Sequence, residues 1–152
     1  MGKETSYDEL KEEREHILKE ILQGSIDEIW SNLKKVMIES DSLYTDRHVH
    51  TIWEGPSRGW LLPLPYESIK AFIELHPSES VKYFSKGLES SEVNIVGYSI
   101  NVLAHISPET LKENMYLVDS RNEEIHTIFG SFGWSGTLKE YAIKESEEPG
   151  MF

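Results

Sequence analysis

Two histidines one residue apart, His48 and His50, are the residues of this chain whose type and spacing come nearest to metal chemistry. Side chains two positions apart share a face only on a strand, because on a helix they diverge by about 200°. A zinc site would need a third protein ligand, and Asp46 and Glu54 are the nearest carboxylates. No spacing motif selects either of them. A metal-binding protein or hydrolase that uses His48 and His50 is therefore an alternative interpretation.

Other catalytic chemistry finds less support in the sequence. The chain has no cysteine, which excludes thiolate catalysis, disulfides and cysteine-ligated zinc. The glycine-rich segment around Ser131 and Ser135 lacks the Gly-x-Ser-x-Gly spacing of a nucleophile elbow. A phosphate-binding loop, a dinucleotide fingerprint and the His-Glu-x-x-His motif are also missing. We therefore expect that the chain is not an enzyme and holds no cofactor.

The charge of the chain points to a class of partner. It has 27 acidic and 15 basic residues and a net charge of −12. Such a field repels phosphate backbones and anionic lipids and attracts a basic protein. The N-terminal stretch is highly charged and has no apolar segment typical of a signal peptide, and no apolar run approaches the roughly 20 residues that span a bilayer. We expect a cytoplasmic protein with a basic protein partner, without nucleic acid or membrane.

The elements that must position any site are predicted to be helices. A hydroxyl residue followed by Glu three positions later, as in a helix capping box, occurs at Ser6/Glu9, Ser25/Glu28, Ser120/Glu123 and Thr137/Glu140. Apolar residues at helical spacing follow these starts, and Gly24 is expected to end the first helix. Ser107-Pro108 predicts a further start, and the residues 92 to 106 predict a buried helix. The fold class is therefore all-α, built from stacked antiparallel helix pairs.

The spacing of the helix starts also predicts an organisation. From about residue 65 onward a helix pair takes about 30 residues, which is typical of an α-solenoid. One helical domain is expected over residues 1–144, followed by an acidic tail over residues 145–152. Within the domain we expect a helical hairpin over residues 6–39, an irregular insert over residues 41–64 and repeat-like helices over residues 65–144.

One predicted helix resembles the second helix of a HEAT repeat. The positions that carry the resemblance are Ile95, Ser99, Leu103, Ala104 and Ile106, which match its pattern of apolar and small residues. The resemblance covers about residues 65–130 and implies a HEAT-like α-α superhelix. Val96 stands where the repeat usually has arginine, and serines replace the usual aspartate of the turn, so an irregular helical bundle remains the alternative.

The insert over residues 41–64 is the predicted interaction segment. Its glycines and prolines interrupt the helical spacing, and long insertions of this kind are often functional. It contains Arg47, Trp53, Arg58 and Trp60, which are residue types that dominate binding energy at interfaces. Trp134 is a further candidate. The alternatives are that the tryptophans fill the core, and that residues 45–54 form either a helix or a strand.

The function expected from these patterns is that of a protein–protein interaction module. A small acidic helical protein without catalytic motifs resembles a bacterial immunity protein, which would neutralise a basic toxin. A HEAT-like adaptor in a larger assembly is a second possibility of the same class. The sequence leaves the partner, the pathway and the oligomeric state open.

Overall fold

The computed structural model describes residues 7–38, 52–53, 60–61, 64–127 and 134–148. Contacts divide the chain into two compact units, Met1–Leu75 and His76–Phe152, and each is described by itself. Helices dominate the described residues, so the predicted all-α class is confirmed. The HEAT-like superhelix and the single domain over residues 1–144 stay predictions.

The described residues of the first unit form three helices and one short hairpin. Its elements are α1 (Tyr7–Ile21), α2 (Ile26–Ile38), β1 (Ile52–Trp53), β2 (Trp60–Leu61) and α3 (Leu64–Leu75). Gly24 follows α1 with a φ of 98°, a left-handed conformation that glycine adopts without steric cost, so its predicted place at the helix end is confirmed.

The predicted capping box at the start of α2 is present. The Glu28 amide donates to Ser25 Oγ at 3.2 Å, and the Ser25 amide donates to Glu28 Oε1 at 3.3 Å. Asn32 Nδ2 donates to the carbonyl oxygen of Ile21 at 3.0 Å, which satisfies one of the carbonyls left open at the end of α1. These bonds fix the turn between the first two helices.

The described core of the first unit lies where α1, α2 and α3 meet. Both α1 and α2 pack against α3 and contact each other. Leu33 and Met37 of α2 are fully buried, as are Ile69 and Phe72 of α3. The rings of Trp30 and Phe72 lie 6.0 Å apart with an interplanar angle of 38°, within the range of favourable aromatic pairs.

The second unit surrounds one buried helix. Its elements are α4 (Pro77–Gly87), α5 (Val93–Ile106), α6 (Pro108–Glu113), a 3₁₀ turn (Met115–Leu117), β3 (Glu124–Thr127), β4 (Trp134–Thr137) and α7 (Leu138–Glu147). Helix α5 packs against α4, α6 and α7, and every residue from 95 to 104 is buried. The prediction of a buried helix is confirmed, as is the helix start at Pro108.

Helices α4 and α5 approach most closely where small residues face each other. A Cβ added at Gly87 would collide with Oγ of Ser99 and lie 3.4 Å from Ile95 Cγ2. A side chain at position 87 would force Ser99 Oγ to move and would press on Ser99 Cβ at 3.2 Å, so glycine suits this close approach. The small residues of this segment therefore serve packing.

The helix predicted to start at Ser120 is wrong over the described residues. Residues Glu124–Thr127 form strand β3, which pairs antiparallel with β4 from Glu124↔Thr137 to Thr127↔Trp134. The Glu123 carboxylate accepts hydrogen bonds from Arg121 Nε at 2.8 and 3.0 Å, where a capping box would need it to reach back to residue 120. Arg121 also donates to the Ser90 carbonyl at 2.9 Å.

The start of α7 agrees with the prediction and its end does not. Thr137 and Glu140 form a complete capping box. The helix then continues through Glu147, and Glu145 is fully buried, so the acidic tail predicted from residue 145 is wrong over its first three positions. The cause is helical spacing, since Glu145 follows Leu138, Tyr141 and Ala142 on the buried face. Ser6 of the remaining predicted cap lies outside the described residues.

Candidate functional site

The insert predicted to bind a partner contains a short antiparallel hairpin. Strand β1 pairs with β2 in the register Ile52↔Leu61 and Trp53↔Trp60. The described part of residues 45–54 is therefore strand. The hairpin brings two of the predicted binding positions, Trp53 and Trp60, directly opposite each other although six residues separate them in sequence.

The described part of the structure does not bring the other predicted site residues together. Arg47 and Arg58 lie outside the described residues, as do His48 and His50 of the metal-binding alternative. Trp134 is the first residue of β4, opposite Thr127, and belongs to the second unit. The described backbone therefore pairs two of the five predicted partner-binding residues.

A buried cation lies in the core of the first unit. Arg14 of α1 is only 1% exposed, and its Nη1 lies 3.4 Å from Glu67 Oε2 of α3. Burial lowers the pKa of the Arg14 guanidinium, and the neighbouring Glu67 carboxylate opposes that shift. Glu67 keeps 23% of its side-chain surface exposed, so one side of the ion pair remains hydrated.

A buried carboxylate lies in the core of the second unit. Glu145 of α7 has no exposed surface. Its Oε1 accepts from Asn101 Nδ2 at 2.7 Å and from the Tyr141 hydroxyl at 3.3 Å, and its Oε2 accepts from Lys144 Nζ at 3.1 Å. These hydrogen bonds offset the desolvation of the buried carboxyl group.

The sequence analysis names neither Arg14 nor Glu145 as a site residue, although helical spacing places both on a buried face. Arg14 follows Leu10 by four positions and precedes Ile17 by three, which places it on the apolar face of α1. Glu145 stands in the same relation to Tyr141 and Ala142 on α7. Because both groups are shielded from solvent, they organise the cores and offer no site to a substrate.

The described surface is rich in carboxylates but presents no metal-binding cluster. No group of three or more His, Cys, Asp or Glu residues that could hold a metal ion occurs within the described ranges. The net charge of −12 divides equally between the two compact units. Exposed acidic residues occur on the helices of both, among them Glu12, Glu15 and Glu20 on α1 and Glu109, Glu113, Glu140 and Glu147 on α6 and α7.

Comparisons with known proteins add no relative. No family model, no curated protein and no solved structure matches the chain. Among the described helices none is long and apolar enough to cross a membrane. The functional argument therefore depends on the residues of this chain alone.

Proposed function

We propose that the chain is a protein–protein interaction module that binds a basic partner through the β1–β2 hairpin, with the exposed carboxylates of the helices attracting that partner. The observation that carries the proposal is the register Trp53↔Trp60. A partner of the toxin class, neutralised by this chain as an immunity protein, is the more specific form of the proposal.

The hairpin supports the proposal that two tryptophans anchor the partner. Positions directly opposite in an antiparallel pair share one face of the ladder, and their Cβ atoms are about 4.5–5.5 Å apart. Two tryptophans at such positions offer a large apolar area with two indole N–H donors, which is the composition of binding hot spots. The sequence places Arg47 and Arg58 within six residues of the strands, and arginine is the third residue type enriched at hot spots.

The acidic surface supports the proposal that the partner is basic. Carboxylates on both units produce a negative field that accelerates encounter with a basic protein and slows encounter with acidic ones. Such steering acts on the association rate and weakens as salt screens the field. The tryptophans would then determine the dissociation rate, and the carboxylates the association rate and selectivity.

Capture and reconstitution test the proposal. The purified chain is used to capture proteins from its host, each captured protein is identified and purified, and its dissociation constant is measured by calorimetry. We expect one basic protein, and we expect Trp53→Ala or Trp60→Ala to weaken its binding about 30-fold or more, as for a hot-spot residue. Trp134→Ala determines whether the second unit contributes.

Two controls separate binding from folding. Tyr116→Ala changes an exposed aromatic residue of the second unit, 68% exposed, and should leave the dissociation constant unchanged. Thermal unfolding of the tryptophan variants is measured in parallel, because a large drop in the midpoint with unchanged affinity would assign both tryptophans to packing and remove the proposal.

The identity of the captured protein decides between the specific forms. An immunity role predicts a partner that is toxic when expressed alone and harmless when co-expressed with this chain. A HEAT-like adaptor predicts several partners of weak affinity. Recovery of acidic partners only, or of no partner, would contradict the basic-partner proposal.

A further inference from the structure

The β3–β4 hairpin of the second unit needs support from the rest of that unit. Within the described ranges its two strands pair only with each other, over four register positions from Glu124↔Thr137 to Thr127↔Trp134. A two-stranded hairpin alone is at best marginally stable in water. Its place must therefore be fixed by contacts outside the ladder, which include packing of β3 against α5 and of β4 against α7.

The open end of the hairpin, at Glu124↔Thr137, is closed by hydrogen bonds to the helix that follows it. The chain passes from β4 directly into α7, and the Leu138 amide donates to the Glu123 carbonyl at 3.0 Å. The capping box of Thr137 and Glu140 fixes the first turn of α7 at the same point. These bonds join the residue before β3 to the residue after β4.

Arg121 extends the attachment to a distant part of the unit. Its Nε donates to both carboxylate oxygens of Glu123, at 2.8 and 3.0 Å, and its Nη1 donates to the Ser90 carbonyl at 2.9 Å. Ser90 lies 31 positions earlier in the sequence, in the turn between α4 and α5 (residues 88–92). The side chain of Arg121 is 18% exposed, so the guanidinium is largely withdrawn from water. One side chain thus joins the residue before β3 to the α4–α5 turn.

The acceptor in the α4–α5 turn is itself held in place. The Ser90 amide donates to the Gly87 carbonyl at 3.1 Å, and Ser90 Oγ accepts from the Glu92 amide at 3.0 Å. These bonds connect Ser90 to the end of α4 and to the start of α5. Its carbonyl is therefore a fixed point, and the guanidinium that binds it transmits this position to the hairpin.

The geometry of the contact suits arginine. A guanidinium is planar and presents its N–H donors in a fixed fork, so Nε and Nη1 of Arg121 serve two acceptors at once. Hydrogen bonds from an ionised donor are about twice as strong as neutral ones. The ammonium of a lysine is a single charge on a flexible stem and has no fixed orientation toward two acceptors.

We propose that Arg121 is a clasp that anchors the β3–β4 hairpin to the α4–α5 turn, so that the hairpin moves with the helical core and not as a separate arm. Trp134, the first residue of β4, belongs to the backbone that the clasp fixes. A contact residue on a fixed backbone costs a partner less ordering than one on a mobile arm. The anchoring itself does not rest on the proposed partner and is tested on the free chain.

The proton on Arg121 Nε tests the clasp in the unchanged protein. An Nε–H that donates to a carboxylate and is largely withdrawn from water should exchange with solvent about tenfold or more slowly than that of a free arginine side chain. Nuclear magnetic resonance on the full chain measures this rate, and Arg121→Lys assigns the signal by its disappearance. A rate equal to that of a free arginine side chain would overturn the proposal.

Substitutions at Arg121 test what the clasp holds. Arg121→Met keeps most of the apolar stem and removes the guanidinium. The slowly exchanging amides of β3 and β4 should then lose about tenfold or more of their protection, while those between residues 95 and 104 of α5 keep theirs. Arg121→Lys keeps the charge without the fork and should retain only part of the protection. Lys112→Met removes the same charge at an exposed position of α6 and should change neither region.

The distribution of the loss decides the outcome. A loss confined to β3 and β4 in Arg121→Met supports the clasp. An equal loss in the hairpin and in α5 shows that the arginine stabilises the unit as a whole, and an unchanged hairpin shows that other contacts suffice to hold it. Both results contradict the proposal. Full protection in Arg121→Lys shows that a positive charge is enough, which contradicts the role of the two-acceptor geometry.

Discussion

The two compact units each bury a charged side chain and pair it with a partly exposed opposite charge, but the partner comes from a different place in each. In the first unit Arg14 of α1 is buried, and its partner Glu67, with 23% of its side-chain surface exposed, belongs to another helix, α3. In the second unit Glu145 is buried, and its partner Lys144, with 28% of its side-chain surface exposed, belongs to the same helix, α7. The first ion pair therefore links two helices, whereas the second lies within one helix, and Asn101 of α5 donates a neutral hydrogen bond to Glu145.

The difference shows what each contact contributes. An opposite charge attracts Arg14 toward α3 from outside the core, so the ion pair stabilises the docking of α1 while it is intact. The ion pair of Glu145 lies within α7, so it does not by itself attach this helix to α5. The contact between α1 and α3 is therefore expected to be the more sensitive to loss of its charged partner.

The largest effect is expected from removal of the Arg14 partner. Glu67→Ala should lower the free energy of unfolding by about 3 kcal/mol, because the guanidinium stays buried without its carboxylate. Arg14→Met removes the buried charge but keeps most of the volume, and should leave stability unchanged or raise it by about 1 kcal/mol. Denaturant unfolding of the full chain measures both.

The two substitutions must differ for the comparison to stand. Glu74→Ala changes an exposed carboxylate on the same helix, α3, and should stay within about 0.5 kcal/mol of the wild type. If Arg14→Met costs as much as Glu67→Ala, packing of the long side chain outweighs its charge, and the distinction between the two units fails at this point.

A smaller effect is expected from the capping boxes, which are the same device in both units. Ser25→Ala and Thr137→Ala each remove the hydroxyl that accepts an amide at the start of a helix, and each should cost about 1 kcal/mol. Thr137→Ala should lower amide protection in the second unit, whereas Ser25→Ala should act on the first unit. Amide exchange distinguishes the two. Equal loss throughout the chain would remove the distinction.

Local patterns predicted from the sequence agree with the structure where one short-range signal decides the conformation. The caps at Ser25 and Thr137, the left-handed Gly24 and the buried helix around residues 95 to 104 are of this kind. Each depends on residues within one or two turns, and no distant group competes for them. The same reasoning gave the all-α class.

The predictions were wrong where another residue binds the side chain that the local pattern requires. Glu123 fits a capping box with Ser120, but Arg121 binds its carboxylate and the following backbone pairs with Trp134–Thr137. Pairing between strands cannot be read from residues 120 to 129 alone. The buried charges of Arg14 and Glu145 contradict the general preference of charged residues for solvent, and only their helical spacing indicates the buried faces. The Trp53↔Trp60 register could not be predicted either, because the periodicity of residues 45–54 does not distinguish a strand from a helix.

The smallest effect is a dependence of the second unit on acid. The pKa of Glu123 is lowered by its own backbone amide and by Arg121, and the pKa of Glu140 is lowered by the amide and hydroxyl of Thr137. A carboxyl group whose pKa is depressed on folding stabilises the folded state above its unfolded value of 4.5, and this contribution is lost as pH falls through the folded pKa. The second unit should therefore lose stability between about pH 5 and about pH 3.

Denaturant unfolding across that range, followed by amide exchange in each unit, measures the loss. The double variant Glu123→Gln/Glu140→Gln should reduce the pH dependence of the second unit. Arg14 stays protonated throughout this range because arginine titrates only at strongly alkaline pH. The buried cation of the first unit therefore contributes nothing to the dependence of stability on pH in this range. An unchanged pH dependence in the double variant would show that these two carboxylates do not link protons to folding, and the acid response would then have to come from other carboxylates of the chain.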